Sequence, residues 1–183
     1  MKTGKLNIQG SLQADTWERI FDTTLVAAAT SVTISGLHGD TDEEYELEAR
    51  IVNGYNGAAS YLVRCNNDTG SNYGSQNLAG ENSTVSASRD SGALTSWFFG
   101  YGSALNDLNQ SEMLISAKSG YVRTAINEHM DSIVTTTVGR MYLRGQSWNN
   151  TADEITSLVV LANQANGLGV GTQITLWRKI KKA

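Results

Sequence analysis

The stretch Glu43-Glu44-Tyr45-Glu46-Leu47-Glu48-Ala49-Arg50-Ile51-Val52 decides the fold class. Tyr45, Leu47, Ala49 and Ile51 alternate with Glu46, Glu48, Arg50 and Val52, the two-residue period of a half-buried strand. Glu, Leu and Ala also favour helix, so residue preference alone leaves a helix open. The strict alternation and the flanking Gly39 and Gly54 favour the strand.

Working outward, residues 61–64 read as a partner strand to this one. Upstream, residues 24–28 and 32–35 read as two short strands around a small-residue turn, and the body begins near Trp17. Residues 1–16 show no sustained period and read as an N-terminal arm or edge strand. Downstream, residues 65–93 are rich in Asn, Ser and Gly. So long a structureless loop is unusual in one domain, so short strands are expected within it, one near residues 83–88. Further strands are expected at 95–101, 111–118, 137–144, 155–161 and 173–180. Residues 121–128 and 131–133 read as strands around a bend, with a short helix open for part of them. About ten short strands separated by turn signals mean an all-β sandwich or barrel.

Composition agrees. The chain has 183 residues, one domain by size, expected over 17–183. Only 17% are charged, whereas 69 are Ser, Thr, Asn or Gly, and there is no proline. A long-helix protein would carry a Glu/Lys/Ala-rich surface instead. A pI near 5.1 argues against nucleic acid, and no apolar run approaches the ~18 residues of a membrane span. The start lacks the apolar core of a signal peptide.

Catalytic signatures are sparse. Cys65 has only Arg64 nearby to activate it, no Gly-x-Ser-x-Gly elbow is present, and neither His38 nor His129 is paired with a nucleophile by spacing. Asp40, Asp42 and Glu44 offer alternating oxygens to calcium, but the EF-hand pattern is missing and a solvated acidic turn is preferred. Gly167-Leu168-Gly169-Val170-Gly171 precedes a strand rather than a helix, so it reads as a tight turn and not a dinucleotide site. No cofactor is expected. Aromatic residues beside Asn-rich turns could hold a glycan, with Tyr73 and Trp148 stacking on sugar rings and Asn66, Asn67 and Asn72 binding hydroxyls. Trp97 and Trp177 are expected in the core.

Two stretches resemble bacteriophage virion proteins. Trp17-Glu18-Arg19-Ile20, Thr24-Leu25-Val26-Ala27-Ala28-Ala29 and Ser31-Val32-Thr33-Ile34-Ser35-Gly36-Leu37 resemble the entry of many such chains. Residues 146–158, from Gln146-Ser147-Trp148 to Ser157-Leu158, and residues 166–178, ending Thr175-Leu176-Trp177-Arg178, resemble a recurring ending of phage tail and capsid-associated proteins. The resemblance spans about residues 17–180. It implies an antiparallel β-sandwich, jelly-roll-like, with an extended N-terminal arm, in a non-enzymatic virion protein assembled in the host cytoplasm.

The function expected is a capsid decoration protein, a homo-oligomer (a trimer) that binds the major capsid protein or another virion protein. The alternative is a receptor-binding head gripping a host surface glycan. Lys2 and Lys5 in the arm and Arg178, Lys179, Lys181 and Lys182 at the basic end are the expected partner contacts, with a solubilising tail equally open for the latter. A tail glycoside hydrolase would need two acids about 5–9.5 Å apart in a cleft, and no such pair stands out.

Overall fold

A computed structural model describes residues 16–132 and 138–180. The strands there are β1 (Thr16–Thr24), β2 (Ser31–Ser35), β3 (Glu44–Val52), β4 (Ala59–Cys65), β5 (Tyr73–Glu81), β6 (Thr84–Leu94), β7 (Trp97–Gly102), β8 (Leu108–Ser116), β9 (Arg123–Ser132), β10 (Val138–Trp148), β11 (Ser157–Ala162) and β12 (Gln173–Ile180). One helical turn, α1 (Gly39–Asp42), leads into β3. The strands form two sheets in which every pairing is antiparallel. The large sheet runs β1-β12-β3-β8-β9-β10-β5-β6 and the small one β2-β11-β4-β7. The chain is an all-β sandwich.

The quoted stretch is β3, as its alternation demands. Tyr45, Leu47 and Ile51 are fully buried, and Ala49 nearly so. They pack with Met113 and Ile115 of β8 and Ile174 and Leu176 of β12 in one core. Tyr61 and Val63 of β4, Trp97 and Phe99 of β7, and Leu158 and Val160 of β11 supply the core from the facing sheet. β11 is interior, between β2 and β4, as its two apolar faces suggest.

Several expectations change. β4 does not pair with β3. It crosses to the other sheet, because period-two patterning names the buried face and not the neighbour that supplies hydrogen bonds. Residues 24–28 are not a strand: β1 occupies Thr16–Thr24 against β12, and the chain leaves the sheet at Leu25, where the alanines that follow offer little to pack. The bend expected within this segment is absent between residues 123 and 132, and residue 133 lies outside the described residues. β9 is continuous from Arg123 to Ser132 and pairs with both β8 and β10. Thr16 belongs to β1, and the rest of the expected arm lies outside the described residues.

The turns follow local chemistry. Asn82, at φ 53°, closes the β5–β6 hairpin, a left-handed position that Asn tolerates. Around the glycine repeat, Gly54 and Gly169 bring two loops into backbone contact. A Cβ on Gly54 would sit 2.4 Å from the Asn166 carbonyl oxygen, and Gly169 donates its N–H to the Val52 carbonyl at 2.8 Å. The repeat is a structural clasp.

Candidate functional site

The small sheet has four strands and the large one eight, so the large sheet extends past its cover. β7, at the edge of the small sheet, lies against β8, β9, β10 and β5. The space beneath it is polar. The Gln146 amide accepts from the Phe98 N–H at 2.7 Å and donates to the Phe98 carbonyl at 2.9 Å, while Ser111 and Asn127 donate to the Phe99 carbonyl. Side chains of the large sheet thus occupy backbone groups of an edge strand. His129 lies here, stacked on Tyr142 at 4.6 Å and close to Phe98 at 5.3 Å. Burial, with the Arg144 charge, pushes its pKa down to about 3.

The opposite face of β8-β9-β10-β5-β6 has a different character. Register puts Met130 beside Met141, Leu143 beside Leu78, and Leu114 beside Ile126. With Val85 on β6 these seven side chains are 39–76% exposed and point the same way. Five strands at ~4.8 Å spacing and a span of about 20 Å along them give roughly 500 Å². That is near the upper end of the largest apolar patch a monomer usually shows. A groove of about 330 Å³ runs between Leu78, Val85, Met141 and Leu143. Glu128, opposite Leu143, stands within this face and lines the groove, with Glu112 beside it on β8, whereas Arg89 lies at the β6 edge; all three are exposed.

At the other end of this face, past Ile126, lies a cleft of about 770 Å³ whose walls mix polar groups with apolar carbon. Gly74 and Gly145 lie in its lining, on neighbouring strands, with Gln76, Ser147 and Thr124 beside them and Asn72 and Asn149 from the adjoining loops. The Asn149 N–H donates to the Asn72 carbonyl at 2.8 Å, tying the two loops together.

The expected glycan residues are redistributed by this geometry. Tyr73 and Trp148 are 1% and 0% exposed and stack on each other at 6.3 Å, so neither ring face is open to a sugar. They are core pillars beneath the cleft. Asn66 accepts from Thr156 and Ser157 and donates to the Glu154 carbonyl, which clamps the segment before β11. Asn67 sits at φ 52° in the turn after β4. Of the five, Asn72 alone keeps its place at a cleft, positioned by Asp68, which accepts from its amide and from the Trp148 indole N–H, each at 2.8 Å.

The acidic turn is dispersed in the same way. Asp40 accepts from the Ser119 backbone and hydroxyl, bonds that hold its carboxyl below the ordinary range. Asp42 accepts from the Tyr45 hydroxyl at 2.6 Å, and Glu44 pairs with Lys179 at 3.0 Å. No shared calcium cradle results. Among the described acids, the carboxylate oxygens that gather within 4.8 Å belong to Glu46, Glu48 and Glu112, and Glu48 already accepts the Trp177 indole N–H. Trp177 is half-buried rather than in the core, whereas Trp97 is fully buried. Arg178 pairs with Glu18 at 2.6 Å and Asp42 at 3.4 Å, so it and Lys179 hold this chain's own acids together. Lys2, Lys5, Lys181 and Lys182 lie outside the described residues. Cys65 is fully buried, and burial holds its thiol well above its ordinary pKa, unsuited to nucleophilic attack.

Sequence reasoning missed the apolar face because each strand shows only one or two apolar residues on its outer side. Pairing across five strands turns scattered residues into a patch.

The fold is an all-β sandwich with an apolar outer face that no other described element covers. No family model matches the chain, and no curated protein matches it. Among solved structures, a candidate pore-forming toxin from Bacteroides vulgatus aligns at 8% identity with a TM-score of 0.13. The alignment covers 85% of this chain and 59% of that one, so this chain spans under two thirds of its length. A likeness this slight carries no argument.

Proposed function

We propose that the protein is a non-enzymatic structural protein of a phage particle, a capsid decoration protein that assembles as a homo-oligomer, a trimer, on the shell. The observation that carries this reading is the apolar outer face of β8-β9-β10-β5-β6. Covering the roughly 500 Å² of this face is worth at most about 12 kcal/mol gross at ~25 cal/mol/Å², since Glu112 and Glu128 interrupt its apolar side chains. Association costs about 4–15 kcal/mol, so this patch alone supports weak pairing. Many weak contacts repeated in a lattice suit a shell component. A neighbouring copy is the occupant the charges favour, since Glu128 within the face and Arg89 at its β6 edge give the face both signs, which a second copy can complement.

Strand order supports the reading further. With β5, β6, β9 and β10 set aside, β1-β12-β3-β8 faces β2-β11-β4-β7. We read that nested order as a jelly roll with two hairpin-like insertions, an architecture common in viral capsid and lectin domains. Fold analogy does not carry the function by itself. The test is light scattering of the purified chain, followed by sedimentation with expanded capsids. Wild type is expected to form a trimer and to bind. Met141→Lys, at a site 66% exposed, is expected to leave the fold intact and shift the chain to monomer. A monomeric wild type that ignores capsids would refute the proposal.

A further inference from the structure

The cleft at the other end of the same face adjoins the apolar patch through Ile126, which lies opposite Gly145, and its glycines have no structural duty that explains both of them. A Cβ built on Gly145 meets nothing within 4 Å, and its φ lies outside the left-handed region. Neither backbone geometry nor packing within the chain requires glycine there. Glycine in a strand interior weakens the strand, and such positions often mark close approach of a ligand or another backbone. Gly74, diagonal to it on β5, keeps the neighbouring lane low.

The polar groups around this trough are mostly amides and hydroxyls, from Gln76, Ser147, Thr124, Asn72 and Asn149, set among apolar carbon that includes Ile126. Their donors and acceptors are uncharged. Arg89 and Asp90, both at the β6 side, contribute opposite charges and no net field. The volume lies within the ~300–1,000 Å³ of ordinary ligand sites. The rim is already organised. Asp68 fixes the Asn72 amide, and the Asn149 to Asn72 backbone bond joins the two loops. Such preorganisation lowers the entropy lost on binding.

We propose that this cleft binds a neutral saccharide, whose hydroxyls exchange hydrogen bonds with the amide and hydroxyl walls while the ring lies over Gly145. It takes sugar without an exposed aromatic platform, since Tyr73 and Trp148 support the cleft from below.

The test uses maltotriose, chitotriose, mannotriose and N-acetyllactosamine as probes, followed by amide chemical shifts and calorimetry. At least one is expected to shift the amides of Gln76, Thr124, Gly145 and Ser147. Gly145→Ile, which fills the trough with a strand-favouring side chain, is expected to weaken that binding at least tenfold with Tm retained. Gln76→Ala is expected to weaken it without filling anything, which guards against a folding artefact. If no probe shifts these amides, or Gly145→Ile binds as well as wild type, the inference fails. Met141→Lys separates the two proposals: it should keep saccharide binding while losing self-association.

Discussion

His129 shows what one buried side chain can do to a sheet interior. It is 4% exposed, and neither ring nitrogen has a hydrogen-bond partner among the described residues. Its folded pKa of about 3 lies below the ordinary 6.5, so the unfolded state binds the proton more readily. Stability is therefore full above about pH 6.5 and falls as pH drops toward 3. The loss by pH 5 is about 2 kcal/mol from this residue alone. Urea unfolding at pH 7 and pH 5 measures it. His129→Phe keeps the stack on Tyr142 and removes two unpaired polar atoms. It is expected to match or exceed wild type at pH 7 and to flatten the acid limb. An unchanged acid limb would mean that another group controls it.

At the scale of elements, the loop between β4 and β5 depends on Asp68. Burial lifts its carboxyl, but hydrogen bonds from the Trp148 indole, the Asn72 amide and the Gly70 backbone outweigh that and leave its pKa below the ordinary value. Asp68→Ala strands the Trp148 indole N–H in the core and frees Asn72. It is expected to cost about 2 kcal/mol in thermal unfolding and to loosen the cleft rim. A loss within error would show that the loop is held by Asn66 and the Tyr73 hydroxyl instead. The element scale also shows what a chain can announce about itself. β3 and β12 were legible because each alternates strictly with one face in the core. β6 was legible in part, as the strand near residues 83–88, and β5 only as an unspecified strand, since the register of a polar hairpin comes from its partners. The pairing of β3 with β8 rather than β4 was not legible at all, because it depends on sheet order, which hydrophobic period does not encode.

At the scale of the molecule, the sandwich was readable from turn spacing and composition. Its asymmetry was not. Four strands added to one sheet leave a face that no other described element covers, and the polar interior beneath it adds little apolar packing. The low charge of the chain now has a location: amide and hydroxyl groups line the cleft and the strand edges. Their Asn-rich surroundings single out Trp148 and Tyr73, yet the rings point inward, a matter of strand phase that an irregular polar segment conceals.

If a neighbouring subunit covers the outer face, its exposed methionines change their reactivity on assembly. Met130 and Met141 lie in it, 39% and 66% exposed, while Met113 is fully buried in the core. Peroxide footprinting read by mass spectrometry compares the dilute chain with the assembled one. Met130 and Met141 are expected to oxidise in the dilute chain and become protected on assembly, with Met113 protected in both. Equal oxidation of Met130 and Met141 in the two states would contradict it.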